Sequence, residues 1–414
     1  MKLNTAIWID KFVVGIFNRL LNILVRLTGF FLRPSHKLDR NFKAIAICKF
    51  KGMGSIIQST PLILTLRKNY PNAKIIFITT SGNKRLLELI PQVDEIITLN
   101  DSSFFALLFG APSLIAKLIR KRIGLYFDLE IYSNFSSAIT AMSCARNRVG
   151  FYLRSDQYRL GLYTHMMFYN VNMPIRETYL QMARILPLKN ENSELHNLCE
   201  ETSRLRPEII TSSIHSKNHI VINCNASDLR EERKWPLDRF AGLINYILNN
   251  HTFTIYLIGA SNEKAHVAEL MKRIPENFRI INLAGKTNID ELIALIKHSQ
   301  MMITNDTGPM HIAYSTSTPT LALFGPCSPL QYGTFPNSIA LYESVYCSPC
   351  VHEFLVPPCK GNNICMQKID LEKAIHAFEQ ILNGVPQAQN TNYNAITGRE
   401  NGYLPGLVKR QKNE

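Results

Sequence analysis

The amino-acid sequence has little of what would assign it to a specialised class at once. Nine cysteines among 414 residues are too few for a disulfide scaffold. Charged residues make up 19% and hydrophobic residues 46%, which excludes whole-chain disorder and leaves ample material for sizeable cores. The sequence shows no repeat of solenoid length and no zinc-finger or RNP motif. This composition also excludes a polytopic membrane protein, and the length fits a two-domain α/β enzyme.

Acidic residues are scarce relative to basic ones. The chain has 32 Asp and Glu against 46 Lys and Arg, a formal net charge of +14. A surplus of this size predicts an anionic partner: a phosphorylated substrate, a membrane surface or a nucleic acid. Because nucleic-acid-binding motifs are lacking and part of the charge lies near the N-terminus, the sequence favours the first two partners.

An apolar stretch near the N-terminus, residues 12–32, is long enough to cross a bilayer. Polar side chains interrupt it at helical spacing: Lys11, Arg19, Asn22, Arg26 and Arg33. A spanning helix would carry Arg19 and Arg26 through hydrocarbon at about 2.5 kcal/mol or more each. Residues 1–40 hold seven Lys/Arg and two Asp, a net charge of +5, which suits an amphipathic helix lying on anionic lipid. The alternatives are a helix packed on the protein itself and a spanning or targeting segment; a cleaved signal peptide fits poorly.

From residue 44 onward, short apolar runs alternate with helical stretches. The first series predicts strands at 44–47, 73–79, 96–99 and 125–129, and helices at 56–69 and 84–89. The second predicts strands at 219–223, 254–258, 279–282, 301–304 and 320–324, and helices at 237–248, 263–273, 289–298 and 309–316. Such alternation is typical of βαβ units and predicts an α/β fold with parallel sheets.

The predicted organisation has five parts. They are an amphipathic, membrane-associated helix in 1–40, a Rossmann-like domain in 41–185, a polar linker in 186–217, a second Rossmann-like domain in 218–384 and a polar, disordered tail in 385–414. Two such domains form a cleft, where ligands usually bind.

The run from Asn305 to His311 follows a predicted strand and begins a predicted helix. Pro309 suits a first helical turn, and the free N–H groups there favour a phosphate. Thr307 and Gly308 allow close approach of the backbone. The alternative is an ordinary N-cap formed by Asp306 or Thr307.

Two further positions have chemistry that suits a nucleotide. Lys234, in Lys234-Trp235-Pro236 before a predicted helix, is a strong point-charge partner for phosphate oxygens, although neighbouring charges also fit a solvated basic face. Glu263 follows the strand predicted at 254–258, and its carboxylate could accept ribose hydroxyl protons. The alternative for Glu263 is a favourable interaction with a helix dipole.

Four of the nine cysteines fall within 19 residues: Cys347, Cys350, Cys359 and Cys365. Their spacing is compatible with a zinc site or an iron–sulfur centre, although it matches no standard signature well. Reduced, locally packed thiols are the alternative, so the sequence leaves the metal undecided.

Taken together, these motifs resemble those of the family 9 glycosyltransferases, the ADP-heptose:lipopolysaccharide heptosyltransferase family. The resemblance runs from about residue 44 to 370 and is most specific at 306–313 (DTGPMHIA), with Pro319 and 324–326 (FGP) downstream. The other matching segments are 51–61 (KGMGSIIQSTP), 70–73 (YPNA), 91–96 (PQVDEI), 148–151 (RVGF) and 233–236 (RKWP).

The resemblance implies a GT-B fold of two Rossmann-like domains facing across a cleft. It implies that the C-terminal domain binds a nucleotide-sugar, that the N-terminal domain offers the acceptor, and that inverting transfer requires no divalent metal; no Asp-x-Asp motif is present. The implied donor-binding residues are Ser227 in the phosphate-side loop, Lys234 on the donor phosphates, Glu263 on the ribose, and Asp306, Thr307, Gly308 and His311 on the diphosphate and sugar.

The sequence departs from the family at Gly54-Ser55, where the family has Gly-Asp and the Asp is the expected general base. A serine hydroxyl cannot serve unaided as a proton acceptor at neutral pH. Either the base has moved or activity is lost. The best substitute is Glu130, with Asp128 second, because both end a predicted strand in the same domain; the alternative for Glu130 is a solvated loop carboxylate.

The predicted function is therefore inverting transfer of a heptose or related sugar from an ADP-activated donor to a lipopolysaccharide-core or other lipid-linked acceptor. The predicted location is the cytoplasmic face of the inner membrane, as a peripheral protein. A family member with a different nucleotide-sugar donor, and a nucleotide-sugar-binding protein with weak catalysis, remain as alternatives.

Overall fold

The computed structural model of the chain describes residues 8–384, apart from 40, 154–157, 200–205, 207–216, 227–229, 334, 352–356 and 358. The predicted tail in 385–414 lies outside this part, as does half of the predicted linker in 186–217. The chain divides into two compact units. The first comprises Met1–His215, Thr287–His298 and Thr307–Thr318, and the second comprises Ser216–Lys286, Ser299–Asp306 and Pro319–Glu414.

The first unit is built on a six-stranded parallel sheet. Its strands are β1 (Ala44–Cys48), β2 (Lys74–Thr80), β3 (Glu95–Leu99), β4 (Leu125–Asp128), β5 (Asn147–Tyr152) and β6 (His165–Phe168). Its early helices are α1 (Gly15–Leu32), α2 (Met53–Gln58), α3 (Thr60–Asn69), α4 (Lys84–Glu88), α5 (Phe104–Arg120), α6 (Asn134–Met142) and α7 (Ile175–Leu180). The strand order is β3-β2-β1-β4-β5-β6. Strand β1 is buried along its whole length, as its uninterrupted apolar sequence requires.

The second unit repeats this architecture. Its strands are β7 (His219–Asn223), β8 (Thr254–Leu257), β9 (Ile280–Asn282), β10 (Met301–Asn305), β11 (Thr320–Phe324) and β12 (Ser338–Tyr342). Its helices are α8 (Leu237–Asn250), α9 (Lys264–Met271), α12 (Pro329–Tyr332), α13 (Ile364–Gln367) and α14 (Leu371–Leu382). Helices α10 (Ile289–Lys297) and α11 (Gly308–Ser315) come from the same stretch of chain but group with the first unit.

Both sheets have the same topology. The second sheet is also entirely parallel, in the order β12-β11-β10-β7-β8-β9. Counted within each sheet, both orders are that of the dinucleotide-binding fold, with a switch point between the first and fourth strands. The predicted α/β class with two Rossmann-like parallel sheets, the arrangement of the GT-B type, is confirmed.

The helix predicted at 56–69 is two helices, α2 and α3, with a break at Ser59. Pro61 lies in the first turn of α3 and has no N–H to continue the α2 ladder, so the second helix begins anew. The Ser59 hydroxyl meanwhile donates to the Ile56 carbonyl at 2.7 Å. The apolar pattern continues across this break, which is why the sequence alone reads as one helix.

The N-terminal helix consists of a π-helical turn, Ile9–Val14, that continues into α1. By length and composition alone the described segment Ile9–Leu32 could cross a membrane. Two residues of the polar stripe contact the protein itself, as the alternative of a helix packed on the protein implies, and association with a membrane stays a prediction. Asn22 and Arg26 both donate to the Leu160 carbonyl of the first unit, at 2.5 and 3.1 Å.

Candidate active site

The loop after β1 and the loop after β4 meet at the switch point of the first sheet, since β1 pairs with both β2 and β4. Parallel α/β sheets bind ligands at this edge because the chain leaves the two central strands in opposite directions. Gly52 turns the first loop into α2 with φ of +92°, a conformation that favours glycine. Asp128 is the last residue of β4 and Glu130 lies in the second loop, so the predicted site residues of the first domain lie at adjacent strand ends.

Glu130 is held by three hydrogen-bond donors. Its Oε2 accepts from Lys49 Nζ at 2.7 Å, and its Oε1 accepts from the backbone N–H groups of Phe50 and Lys51 at 2.8 and 3.2 Å. Its side chain is 13% exposed. Burial by itself would lower the pKa of Lys49, but the adjacent Glu130 carboxylate, together with Tyr179 and Asp128, raises that pKa above its usual value. The result is a nearly buried ion pair that fixes the position of the Glu130 carboxylate.

Asp128 is a fully buried carboxylate. It accepts hydrogen bonds from the Tyr163 hydroxyl at 2.6 Å, the Thr140 hydroxyl at 3.2 Å and the Glu130 N–H at 3.0 Å. Burial raises the pKa of Asp128, although the Tyr163 hydroxyl opposes that rise. A carboxylate with no exposed surface cannot reach an acceptor hydroxyl in this arrangement, so Asp128 positions the strand end and Glu130 is the better placed of the two candidates.

Ser55 is in the first turns of α2 and is partly exposed. Its hydroxyl lies near the buried Tyr179 and acts on the pKa of that residue. Burial raises the pKa of Tyr179, while the nearby Lys49 ammonium and the Ser55 hydroxyl act against that rise. Ser55 therefore belongs to the same polar cluster as the Lys49–Glu130 pair, because all three residues act on the pKa of Tyr179.

His311 on α11 packs against α2 within the first unit. Gln58 Nε2 lies 3.0 Å from His311 Nδ1, and because an amide nitrogen only donates, Nδ1 is the acceptor. The ring lies directly over Gly54, where a Cβ would come within 2.0 Å of His311 Cδ2. The glycine of the Gly54-Ser55 pair is therefore required by close packing, and Gln58 fixes the proton of the neutral imidazole on Nε2.

The switch point of the second sheet is held together by Asn305, the last residue of β10. Its Nδ2 donates to the carbonyls of Cys224 and Asn225 after β7, at 3.0 and 3.1 Å. Its Oδ1 accepts from the Trp235 N–H at 3.2 Å. The next residue, Asp306, is buried, with its Oδ2 3.6 Å from Arg233 Nη1. Asp306 and the segment that precedes Lys234 are thus brought together at this edge.

Lys234 lies beside an open pocket in the second unit with a volume of about 560 Å³. Lys234 Nζ donates to Glu231 Oε1 at 3.3 Å, across a partly exposed pair. The pocket is lined by Lys234, Trp235, Pro236, Leu237, Arg239, His266, Asn363 and Gln367. Three of these can carry positive charge, which suits an anion, but Lys234 is the only member of the predicted donor set among them.

Comparison with known proteins identifies the family. The model of glycosyltransferase family 9 (heptosyltransferase) matches residues 117–356, more than half of the chain. The chain belongs to glycosyltransferase family 9. It is accordingly a glycosyltransferase, as the sequence predicted.

Similar proteins are found by sequence and by structure. Lipooligosaccharide heptosyltransferase 2 of Haemophilus influenzae is 25% identical over 292 residues, covering 68% of this chain and 82% of the relative. The crystal structure of a family 9 glycosyltransferase from Veillonella parvula has a TM-score of 0.67 at 21% identity and covers 84% of this chain and 99% of its own. The E. coli ADP-heptose lipopolysaccharide heptosyltransferase II structure has a TM-score of 0.61 at 18% identity, covering 82% and 98%.

The remaining predicted donor residues of this family 9 chain have local roles in the fold. Glu263 accepts the Ala260 N–H through Oε2 at 2.7 Å and so caps its own helical turn, and its predicted contact with a ribose stays a prediction. Thr307 is the N-cap residue of α11, and Gly308 is its first helical residue. Ser227 lies outside the described residues.

The family 9 site also contains residues that the motifs did not indicate. Each of these residues contacts a predicted site residue or fixes a strand end: Lys49, Tyr179, Gln58, Arg233 and Asn305. Lys49 could have been noticed, because a lysine that directly follows an apolar strand must find a counter-charge. Tyr179 gave no local signal, since its contact with Ser55 joins segments more than a hundred residues apart.

The four clustered cysteines form no disulfide in the structure and lie in the second unit. Burial raises the pKa of Cys350, and the neighbouring Cys347 and Cys359 thiols add to the rise. Among the residues that the structure describes, no group of three or more His, Cys, Asp or Glu side chains is placed to hold a metal ion. The metal hypothesis therefore stays a prediction.

Proposed function

We propose that this chain transfers a heptose from ADP-heptose to a lipopolysaccharide-core or other lipid-linked acceptor, with inversion at the anomeric carbon. The observation that supports this best is the placement of the motif residues. In a family 9 glycosyltransferase, Glu130 and Asp306 each follow a central strand at the switch point of its own parallel sheet. The names of the similar proteins supply the sugar, the nucleotide and the acceptor class.

Donor binding is assigned to residues of the C-terminal sequence half. Lys234, in the second unit, would pair with the donor phosphates as a point charge. Thr307 and Gly308 at the start of α11 are assigned to the diphosphate by resemblance, and the N–H groups of a helix start suit a phosphate. The neutral imidazole of His311 carries its proton on Nε2, and this N–H group suits a phosphate or sugar oxygen as a hydrogen-bond donor. Asp306, Ser227 and Glu263 complete the set by resemblance.

We assign the proton acceptor to Glu130. In direct displacement the acceptor oxygen attacks the anomeric carbon, the bond from that carbon to the phosphate oxygen breaks, and ADP leaves with the electron pair. The proton of the attacking hydroxyl needs a base, for which a positioned carboxylate is suited. Glu130 is partly exposed, is fixed by Lys49, and lies in the cluster that includes Ser55.

The proposal requires no metal for transfer. Zinc or an iron–sulfur centre at Cys347, Cys350, Cys359 and Cys365 remains the alternative to four reduced thiols, and it would have a structural role. Elemental analysis after anaerobic purification tests this: less than stoichiometric metal supports reduced thiols, and one metal or cluster per chain supports a bound centre.

The decisive experiment is a donor panel. The melting temperature of the purified chain is measured with ADP-heptose and with UDP-, GDP- and CMP-sugars. In a separate assay, product is measured by mass spectrometry with membrane extract as acceptor. A ligand at one hundred times its dissociation constant stabilises the fold by about 2.7 kcal/mol, enough for a clear shift of the melting temperature. We expect a shift of the melting temperature with ADP-heptose and with none of the other sugar nucleotides, and we expect ADP-heptose to give product. Lys234→Ala should remove the shift, whereas Lys272→Ala, an exposed lysine on the same unit, should keep it.

A second function is favoured by one observation, the serine at position 55. A nucleotide-sugar-binding protein with weak catalysis would give the same thermal shift without product. Preference for a donor with another base would instead indicate a family member of different specificity.

A further inference from the structure

A continuous apolar stripe runs along the outside of the N-terminal helix. Its members recur at spacings of three and four residues and are each more than half exposed: Phe12, Ile16, Leu20, Ile23, Leu27 and Phe31. Large exposed apolar patches are uncommon on soluble domains and mark binding surfaces. In an ordinary amphipathic helix of a folded protein this stripe would face the core.

The opposite, polar side of the same helix is bound to the protein. Asn18 Nδ2 donates to the Asn134 carbonyl at 2.9 Å, and Asn22 Nδ2 donates to the carbonyls of Tyr158 and Leu160. Both asparagines are buried. The Arg19 guanidinium lies 5.4 Å from the centre of the Tyr158 ring. The helix is therefore fixed to the first unit by its polar residues, with the apolar stripe turned outward.

A second apolar patch is carried by α5. Phe105, Leu108 and Phe109 are 66%, 51% and 74% exposed. Helices α1 and α5 both pack against α6. Both helices therefore lie beside the same helix of the first unit, and we treat their exposed apolar residues as one surface.

The charges around these patches are mostly positive. Helix α5 has no acidic residue and has Lys117 and Arg120 in its last turn. Around the N-terminal stripe, Lys11, Arg19, Arg33 and Lys37 are exposed, against one exposed acid, Asp39. Apolar side chains rimmed by lysine and arginine suit a lipid surface with anionic headgroups.

We propose that this face, defined by the stripe from Phe12 to Phe31 and by the α5 patch, binds an anionic lipid bilayer while the helix stays docked on the protein. The proposal deepens the proposed function and rests on it for the lipid-linked acceptor. Insertion across the bilayer would require pulling Asn18 and Asn22 off their carbonyl partners and burying them in hydrocarbon. Lying on the surface leaves every one of these hydrogen bonds in place.

The face is physically connected to Glu130. Asp10, in the first turn of the N-terminal helix, accepts the N–H groups of Asn134 and Phe135 at 2.9 and 2.8 Å. Arg159 donates to the carbonyls of Ile131 and Ser133 in the same short loop. Glu130 is four residues before Asn134, a span of at most about 14 Å. A hydroxyl presented just above the bilayer surface would thus lie close to the proposed base.

The test uses the full-length chain and vesicle flotation, with neutral phosphatidylcholine vesicles and with vesicles containing phosphatidylglycerol. We expect binding to the anionic vesicles that weakens with salt. The variant Leu20→Gln/Ile23→Gln, and separately Phe105→Ser/Phe109→Ser, should each reduce the partition by about tenfold or more, because several exposed apolar groups no longer enter the interface. The matched control Phe278→Ser removes an aromatic that is 92% exposed on the second unit and should bind as the wild type does.

Other results would overturn the proposal. Equal binding to neutral and anionic vesicles rejects the anionic partner. Unchanged flotation of both variants rejects the lipid-binding surface. If light scattering shows a dimer, and Leu20→Gln/Ile23→Gln dissociates it, the stripe binds a second copy of the chain instead. Resistance to alkaline carbonate extraction would indicate insertion.

Transfer assays separate this proposal from the proposed function. Leu20→Gln/Ile23→Gln should lose transfer to vesicle-embedded acceptor but keep transfer to the same glycan without its lipid. Vesicle binding without transfer to either acceptor would reject the proposed function but support the lipid-binding surface. Normal transfer without vesicle binding would support the proposed function but reject the surface.

Discussion

Glu130 is a carboxylate whose oxygens are surrounded by Lys49 Nζ and two backbone N–H groups. Glu130→Gln keeps the size of the side chain but removes the proton acceptor. We expect kcat to fall by about 10²- to 10⁴-fold, the usual contribution of a general base, with donor affinity within about twofold. Steady-state kinetics and calorimetry with ADP-heptose measure the two effects. Glu269→Gln, an exposed carboxylate on α9, is the control and should retain wild-type kcat. Near-normal turnover of the Glu130 variant would move the base elsewhere.

Gly54 is a position where one methyl group should be costly. A Cβ there would overlap the His311 ring, so Gly54→Ala should lower the free energy of unfolding by about 1–3 kcal/mol, the usual cost of overpacking. Gly29→Ala on α1 meets nothing within 4 Å and should be neutral or stabilising by up to about 1 kcal/mol. Urea unfolding of both variants at one pH measures the difference. Equal midpoints would mean that the ring is not held over Gly54.

Asp128 gives a pH dependence with a defined sign. Burial raises its pKa above the value of 3.8 for an unperturbed Asp, although the Tyr163 hydroxyl opposes the rise. The folded chain then holds a proton that the unfolded chain has lost, so this group makes the free energy of unfolding fall as pH rises above about 4, until the folded carboxyl has lost its proton as well. Asp128→Asn lacks this loss and can still accept from Tyr163. Relative to the wild type it should gain stability as pH increases; a difference that is constant with pH in urea titrations would contradict the assignment.

At the scale of elements, α6 is capped by a residue from another helix. Ser133 accepts the Ser136 N–H, while Asp10 accepts those of Asn134 and Phe135. Removing a side-chain cap costs about 1 kcal/mol, so Asp10→Ala should lower the free energy of unfolding by that amount and speed hydrogen exchange at Asn134 and Phe135. Asp39→Ala, an exposed aspartate after the same helix, should change neither. Unaltered exchange in the Asp10 variant would show that the helix is capped locally.

The elements that were predictable are those whose burial is uniform. Strands β7 and β11 begin and end where the apolar runs at 219–223 and 320–324 do, because every residue of each strand is buried. Helix α5 escaped prediction since its apolar side chains surround the helix and Pro112 lies within it. Strand β5 escaped because Arg148 interrupts the apolar run; its guanidinium donates to the carbonyls of Leu162 and Ala145. Polar residues that find partners through the fold look like loop residues in a sequence.

At the scale of the whole molecule, two sheets of identical order place their functional loops by the same rule. The sequence was sufficient to predict the strand-end loops that contain Glu130 and Asp306, since a loop after a central parallel strand faces the ligand edge. It was not sufficient to find what fixes them. Lys49 and Glu130 are 81 residues apart, and Gln58 and His311 are 253 apart. Such pairs are set by topology, and a single sequence gives no local pattern for them.

The two tryptophans of this chain report on separate events. Trp8, 57% exposed at the start of the N-terminal helix, lies where hydrocarbon would replace water, whereas Trp235 is 1% exposed and adjoins Lys234. Indole emission shifts to the blue when water leaves the ring. Fluorescence excited near the red edge should therefore respond to added liposomes through the first indole and to unfolding of the second unit, which lets water reach the ring, through the second. Trp8→Phe would leave a protein whose remaining signal follows unfolding alone.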